Sequence, residues 1–482
     1  NVNLGVSLSD SRYEMIGYEG GLKLINFFAV HNIDFNKAWK AKQSGWHDQT
    51  RAIFANAEIG WKSMIYLTAT GRNDWDSRLA FSDYKSFFYP SIGLSAILTS
   101  MFNAPDWLTY LKVRGSYTEV GNSYGRFMTT VTYPYDEQTQ SWTSTSSYPN
   151  TKLKPERTKS WEVGLDARIL NDISLNLTYY RSNTYNQTFY ADLSLSSGYS
   201  NIPIQSGNIM NEGLEMSLGY NKQWKDFSFN TNYTLTWNKN RVKRLADGVY
   251  NYATGQPIQM PELSPLTYGH TDARLILRVG GSMGDVYGQR LLKRDLNGYI
   301  LNEEGVGLAM ENKETYLGSI LPKMNMGWSL GFGYKGVNLG MTFTGRFGGI
   351  VISETQSVLD AAGVSKVSAD VRDAGGVQIN QSKVSAQTYY QTIQGTAAYY
   401  TYSATNVRLG ELSLSYTLPK KWFDNKVGMT VGLVGKNLWM IYCKAPFDPE
   451  LTTSAASNFY QGFDAYMLPS TRNFGFNVKF QF

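Results

Sequence analysis

The sequence predicts an all-β protein, a transmembrane antiparallel β-barrel of about fourteen strands with short periplasmic turns and long extracellular loops. Three observations predict it. Strand-length segments alternate with a period of two. The face opposite the apolar one is wet rather than dry. The connections alternate between short and long.

The alternation runs through the whole chain. In Trp161–Ile169 apolar and polar residues take turns. In ISLNLTYY, Ile173, Leu175, Leu177 and Tyr179 oppose Ser174, Asn176 and Thr178. Leu214–Tyr220 follows the same rule. In FSFNTNYTLTW one face carries Phe227, Phe229, Thr231, Tyr233, Leu235 and Trp237. Its other face carries Ser228, Asn230, Asn232, Thr234 and Thr236. Met326–Tyr334, Val337–Phe343 and Leu412–Leu418 continue the pattern. The last strand, RNFGFNVKFQF, sets Phe474, Phe476, Val478, Phe480 and Phe482 against Gly475, Asn477, Lys479 and Gln481.

A soluble sandwich also alternates, so the second face decides. It holds Ser, Thr, Asn and Gly with charges such as Glu162, Asp166 and Lys479. A wet lumen tolerates these and a dry core does not. Aromatics crowd the strand ends at Tyr179–Tyr180, Trp237 and Trp439–Tyr442, where interfacial girdles sit. Short turns fall at Asn171–Asp172, Lys225–Asp226, Lys335–Gly336 and Pro419–Lys426. Long polar connections fall near 121–157, 241–273, 295–322, 348–404 and 442–470. That sorting belongs to outer-membrane barrels.

Composition agrees. The 482 residues show no linker or charge block that divides them. Charged residues are 17%, against roughly 25% in soluble domains, and aromatics are 14% with 34 Tyr. No run of about 18 apolar residues offers a transmembrane helix; Ser86–Pro105 is charge-free but broken by Pro90, Ser91, Ser95, Thr99 and Ser100. The net charge of +6 is spread out, which excludes a nucleic-acid footprint. Cys443 is the only cysteine, so no intrachain disulfide forms. His31, His47 and His270 lie far apart and give no zinc spacing. No cofactor is expected. The chain opens at Asn1 without Met or leader, and is expected to be processed or a fragment.

The long loops are rich in Tyr, Ser, Thr, Gln and Asn. Trp142, Tyr148, Tyr389, Tyr390, Tyr399, Tyr400, Phe459 and Tyr460 are the candidate substrate-binding residues. The plainer reading is that they pack on one another above the barrel. If the loops bind substrate, removing residues 384–404 should abolish uptake and spare barrel assembly.

Two motifs imitate enzymes. GGSMG at Gly280–Gly284 fits G-x-S-x-G with Ser282 as nucleophile, but its flanks do not read as strand then helix, so a glycine turn is expected. GFGYKG at Gly331–Gly336 fits G-x-G-x-x-G, yet an alternating strand follows where a dinucleotide site needs a helix. No paired carboxylates stand out; Glu303–Glu304 reads as a solvated loop pair. No enzyme is expected.

The segments resemble the SusC/RagA family of TonB-dependent outer-membrane transporters, in order along the chain. TATGRNDWDSRL with FFYPSIGLSAIL (Thr68–Leu98) resembles its Arg-Asp-Gly-Ser-Ser and Phe-Pro-Ser region. Tyr110–Ser123 and the hairpin Leu153–Thr184, with Pro155, Glu156, Thr158, Glu162, Gly164 and Leu165, follow. Asn208–Tyr220, NVRLGELSLSYTLP (Asn406–Pro419), VGLVGKNLW (Val431–Trp439) and FDPEL (Phe447–Leu451) complete the series. RDLNGYILNEEG (Arg294–Gly305) sits at the family's Asp-x-Asn-Gly-Asp-Gly loop, but Tyr299 replaces the second Asp, so an Asn-Gly turn is expected and no metal site.

The resemblance implies a barrel of about twenty-two strands closed by an N-terminal plug. It implies import of a large nutrient, an oligosaccharide or oligopeptide, beneath a SusD-like surface lipoprotein lid, driven by TonB–ExbB–ExbD. Residues 1–482 are then expected to be the C-terminal part of the barrel, with the plug and N-terminal strands supplied by the same or another chain. Phe476, Phe480 and Phe482 look like the signal read by the barrel-assembly machinery. The expected location is the outer membrane, with lipid as a further partner. The rival readings are a passive porin of about fourteen strands without TonB coupling, an outer-membrane hydrolase using Ser282 and His270, and a soluble carbohydrate-binding β-protein.

Overall fold

A computed structural model describes residues 1–136, 141–250, 255–260, 262–303, 307–379, 382–454 and 458–482. Glu304 lies outside them. Fourteen strands form one antiparallel sheet in sequence order. They are β1 (Val2–Gly20), β2 (Trp39–Trp61), β3 (Ile65–Asp76), β4 (Phe87–Ile97), β5 (Leu108–Asn122), β6 (Glu156–Ile169) and β7 (Ile173–Asp192). Then come β8 (Asn201–Trp224), β9 (Phe227–Arg244), β10 (Met324–Tyr334), β11 (Val337–Phe347), β12 (Asn406–Leu418), β13 (Gly428–Cys443) and β14 (Asn473–Gln481). β1 and β14 are the two ends of the sheet, and no pairing joins them among the described residues.

Register turns the alternation of single strands into two continuous faces. Phe476 pairs with Leu433, Leu433 with Leu414, Leu414 with Leu339, and Leu339 with Phe332. At the other end Leu4 pairs with Ala55, which pairs with Gly71. This row lies on the outer face, where Leu433 is 63% and Phe476 79% exposed. Such a surface is stable only against an apolar medium. From Trp61 to Arg51, which pairs with Trp75, β2 climbs ten residues. At about 3.3 Å per residue and a tilt of about 40°, that is about 25 Å, the height of a barrel's apolar band. The adjacent Tyr179 and Tyr180 divide between the faces: Tyr179 packs outward beside Trp161, while the Tyr180 hydroxyl donates to Asn238 Oδ1 at 3.0 Å. Only Tyr179 therefore belongs to the girdle.

The short hairpins fall where expected. In Lys335–Gly336 both residues have positive φ, 44° and 89°, which suits a two-residue turn to the twist of β10 and β11. All long connections emerge at the other end, by antiparallel parity. The stretches 241–273 and 295–322 turn out to be one connection between β9 and β10. It contains its own four-stranded sheet of Glu262–Thr267, Arg274–Arg278, Asp285–Leu292 and Met310–Ser319. The loop after β11 adds three helices, α1 (Glu354–Ala361), α2 (Lys366–Asp373) and α3 (Ala386–Ile393). Ser353, Ser365 and Ser385 cap them, each accepting from a backbone N–H in the first turn. This loop is knit to the one after β13, because Ile350–Ser353 pairs antiparallel with Thr401–Ser403 and parallel with Phe463–Asp464.

These loops form a crown with cores of its own. Tyr268, Leu275, Val286, Ile320, Ile352 and Phe463 make one buried cluster. Phe189, Ile202, Ile204, Val242 and Leu277 make another.

Candidate functional site

The inner face of the sheet is a polar lining held by cross-strand hydrogen bonds. Arg114 Nη2 donates to Thr178 Oγ1 at 2.7 Å across β6, and its Nε lies 3.7 Å from Asp166. Ser217 donates to Asn232 at 3.0 Å, and Ser91 with Thr118 and Thr158 with Thr184 form hydroxyl pairs at 3.0 and 2.9 Å. Glycines let these side chains lie flat: a Cβ on Gly331 would come within 2.5 Å of the Asn230 amide. A hollow of about 190 Å³ opens on this lining beside Thr68, Lys112, Arg114, Ser116 and Glu162. Its chemistry fits hydrogen-bonding solutes in water.

Above it, the sequence-selected aromatics divide. Tyr390 and Tyr400 are buried with Leu292, Leu308, Ile379 and Ile393, with Tyr389 and Tyr399 packed against them. Tyr400 is only 2% exposed, and burial raises its phenol well above the usual range. The Tyr399 hydroxyl accepts the Leu292 N–H at 3.1 Å. Phe459 and Tyr460 pack against the Tyr268 cluster, and the Tyr268 hydroxyl donates to the Phe459 carbonyl at 2.7 Å. Tyr148 packs beside Leu277's cluster and meets Tyr199 edge-on at 5.1 Å. Trp142 is 71% exposed and lies edge-on to Tyr135 at 5.1 Å. Segment 384–404 carries Ala397 and Tyr400 of two cores and a strand of the three-stranded sheet, so deleting it would dismantle the crown as well as any contact with substrate.

A second aromatic group escaped sequence reading. β1 and β2 continue as a two-stranded ribbon, Asp10–Gly20 against Trp39–Gln49, beyond the reach of β3. Tyr13 stacks on Trp46 at 5.8 Å, and Arg126 from the loop after β5 lies over the Trp46 ring at 3.7 Å while donating to Asp48. The partners lie about 80 residues apart, so no local pattern signals them.

One clamp explains two of the sequence motifs. Arg408 of NVRLGEL reaches Asp448 of FDPEL through two bonds, 3.0 and 2.7 Å, with both side chains nearly buried. Asn406 accepts from Arg408 and donates to Glu450 Oε1 at 3.0 Å. The Glu450 N–H returns to Asp448 at 3.1 Å. Burial opposes ionisation of Asp448, but the Arg408 guanidinium outweighs it and holds the carboxyl below the usual range.

The enzyme-like motifs dissolve into turns. Ser282 Oγ faces Asn240 at 3.4 Å and accepts the Gly284 N–H at 3.2 Å. Asp295 accepts the N–H groups of Asn297 and Tyr299 at 2.8 and 2.9 Å, which fixes the Asn-Gly turn. The segments flanking Gly280–Gly284 are strands of the crown rather than of the wall. Phe476, Phe480 and Phe482 lie exposed on the outer face of the last strand and the residue after it.

Comparison with known proteins agrees with this architecture. The TonB dependent receptor-like beta-barrel profile matches residues 27–438. TonB-dependent receptor P3 of Formosa agariphila is 24% identical over 97% of this chain and 50% of its own length. TonB-dependent receptor SusC of Bacteroides thetaiotaomicron is 25% identical over 49% of this chain and 22% of its own. The RagAB peptide importer in its open-open state superposes with a TM-score of 0.71 over 99% of this chain and 52% of that one, at 19% identity. The chain spans about half the length of the first relatives it matches. Its two-faced wall, its sorted loops and the profile match together place it in the outer membrane, as a member of the TonB-dependent receptor β-barrel family that is similar to SusC and to the RagAB importer.

Proposed function

We propose that the chain supplies the C-terminal wall and much of the crown of a TonB-dependent importer of a large nutrient, an oligosaccharide or oligopeptide. The observation that carries this reading is the fourteen-strand wall whose first and last strands are not paired with each other among the described residues, in a chain that spans about half the length of the first relatives it matches. Those parts come from the same or another chain. A SusD-like lipoprotein covers the crown, TonB–ExbB–ExbD pulls on the plug, and substrate passes along the polar lining. The barrel-assembly machinery reads Phe476, Phe480 and Phe482. Trp142 and the partly open Tyr148 and Tyr460 contact substrate, while Tyr390 and Tyr400 hold the loops in shape.

The solved relative named as a peptide importer favours oligopeptides as the first substrates to try. Uptake of labelled oligopeptides and oligosaccharides, measured with and without TonB, tests the reading. Uptake of one class that ceases without TonB supports it. Slow, unselective entry that ignores TonB would establish the passive porin instead.

A further inference from the structure

The ladder between β9 and β10 opens before β9 ends. β9 stays paired with β8 as far as Arg244, but its pairing with β10 stops at Trp237 and Met324. One more bond follows, from the Asn238 N–H to the Lys323 carbonyl at 3.1 Å. At Val242 a different segment takes over: its N–H bonds the Gly281 carbonyl, and its carbonyl accepts the Gly280 N–H, both at 2.8 Å. Between these contacts, Lys239–Arg241 face no partner strand on that side among the described residues. Strand alternation turns the Asn240 N–H and carbonyl into the gap. The gap opens into a cavity of about 720 Å³.

Its position relative to lipid follows from register. Trp237 pairs with Leu214 in the outward apolar row and marks its upper edge. Lys239 and Arg241, two and four residues on, share that outward face just above the apolar band, at headgroup level. Lys323 borders the cavity from the start of β10, and Tyr316 from the crown sheet. The lining has one carboxylate, Asp285. It accepts from the Ser282 N–H at 2.7 Å and the Tyr316 hydroxyl at 3.1 Å, and burial raises its pKa. Glu212 on the rim lies 3.6 Å from Lys239 and neutralises it in part. The balance stays cationic.

We propose that this gap binds the phosphate-bearing headgroup of a glycolipid in the outer leaflet. Basic residues at headgroup level attract anionic lipid, the aromatic rings suit an interfacial sugar, and the Asn240 N–H adds a donor for phosphate oxygen. The volume exceeds what a bare phosphate fills. The proposal needs only the membrane placement of the wall and is independent of the import reading.

The test uses the full transporter as purified from outer membranes, reconstituted in phosphatidylcholine nanodiscs doped with either bis-phosphorylated or dephosphorylated lipid A. Native mass spectrometry reads retained lipid. The phosphorylated form should be retained about tenfold better. The preference should vanish in Lys239→Glu/Arg241→Glu/Lys323→Glu and survive in Lys239→Arg/Arg241→Lys/Lys323→Arg. Heat-modifiable gel migration verifies the barrel; if the triple reversal does not fold, Arg241→Gln replaces it and should weaken the preference. Equal retention of both lipids, or no effect of the substitutions in a folded barrel, overturns the proposal. Complete displacement by millimolar inorganic phosphate also overturns it, since the site would then read free phosphate rather than lipid.

Discussion

Wall and crown use apolar residues in opposite ways. In the wall Leu433 and Phe476 lie bare, each matched in register to another outward apolar side chain. In the crown Tyr268, Leu275 and Ile352 are fully buried against one another. The wall is therefore solvated by lipid and held by its hydrogen-bond ladders. The crown is a water-soluble layer with its own cores, held by packing. The difference predicts that the same type of substitution acts differently in the two regions.

Tyr268→Ala should have the largest effect. It empties the crown's main core and removes the bond to Phe459, costing about 3–5 kcal/mol. Limited proteolysis should then cut the crown while the wall stays heat-modifiable. If wall and crown unfold together, they are one cooperative unit and the comparison fails. Asp448→Ala comes next, because it leaves the buried Arg408 with only the half-exposed Glu450 carboxylate at 3.5 Å, at up to about 3–5 kcal/mol less what Glu450 and relaxation of the rim restore. The loop after β13 should gain proteolytic sensitivity, and a double-mutant cycle with Arg408→Ala should show strong coupling.

The same pair gives a pH prediction. The folded pKa of Asp448 is lowered, so its contribution is complete above the ordinary aspartate value of about 3.9. It is lost as pH falls through the lowered value. Pepsin digestion between about pH 4 and pH 2 should show this loosening in the native protein. The step should be absent in Asp448→Asn.

In the wall, Leu433→Arg puts a charge into lipid and should cost about 2–4 kcal/mol if it lies near the midplane. Ser415→Arg, on the wet face one strand away, should cost far less. Unfolding by urea from lipid vesicles measures both. The smallest effect is expected for Ser385→Ala, which removes the α3 cap for about 1 kcal/mol. It should appear as faster hydrogen exchange confined to that helix.

The comparison also explains what was legible in the sequence. A wall strand meets only its two neighbours, so its faces are written locally; the row Phe474, Phe476, Val478, Phe480 needs no tertiary information. The crown is assembled from segments far apart, such as Tyr268 with Phe463 at 5.2 Å and Arg408 with Asp448, and no periodicity marks those partners. The three short helices of the crown escaped for a related reason. Their signal is a single capping serine each, within a loop otherwise dominated by polar and aromatic residues. Residue type alone does not separate an exposed Trp142 from a buried Tyr400.

The account rests most directly on the two faces of the wall. In a Cys443→Ser background, single cysteines would be placed at Leu433 and Leu414, and at Ser413 and Ser415. Each is labelled in vesicles with a lipid-confined and a water-confined thiol reagent. The account predicts lipid-side labelling at Leu433 and Leu414 and aqueous labelling at Ser413 and Ser415. Aqueous labelling at all four positions would contradict a membrane wall.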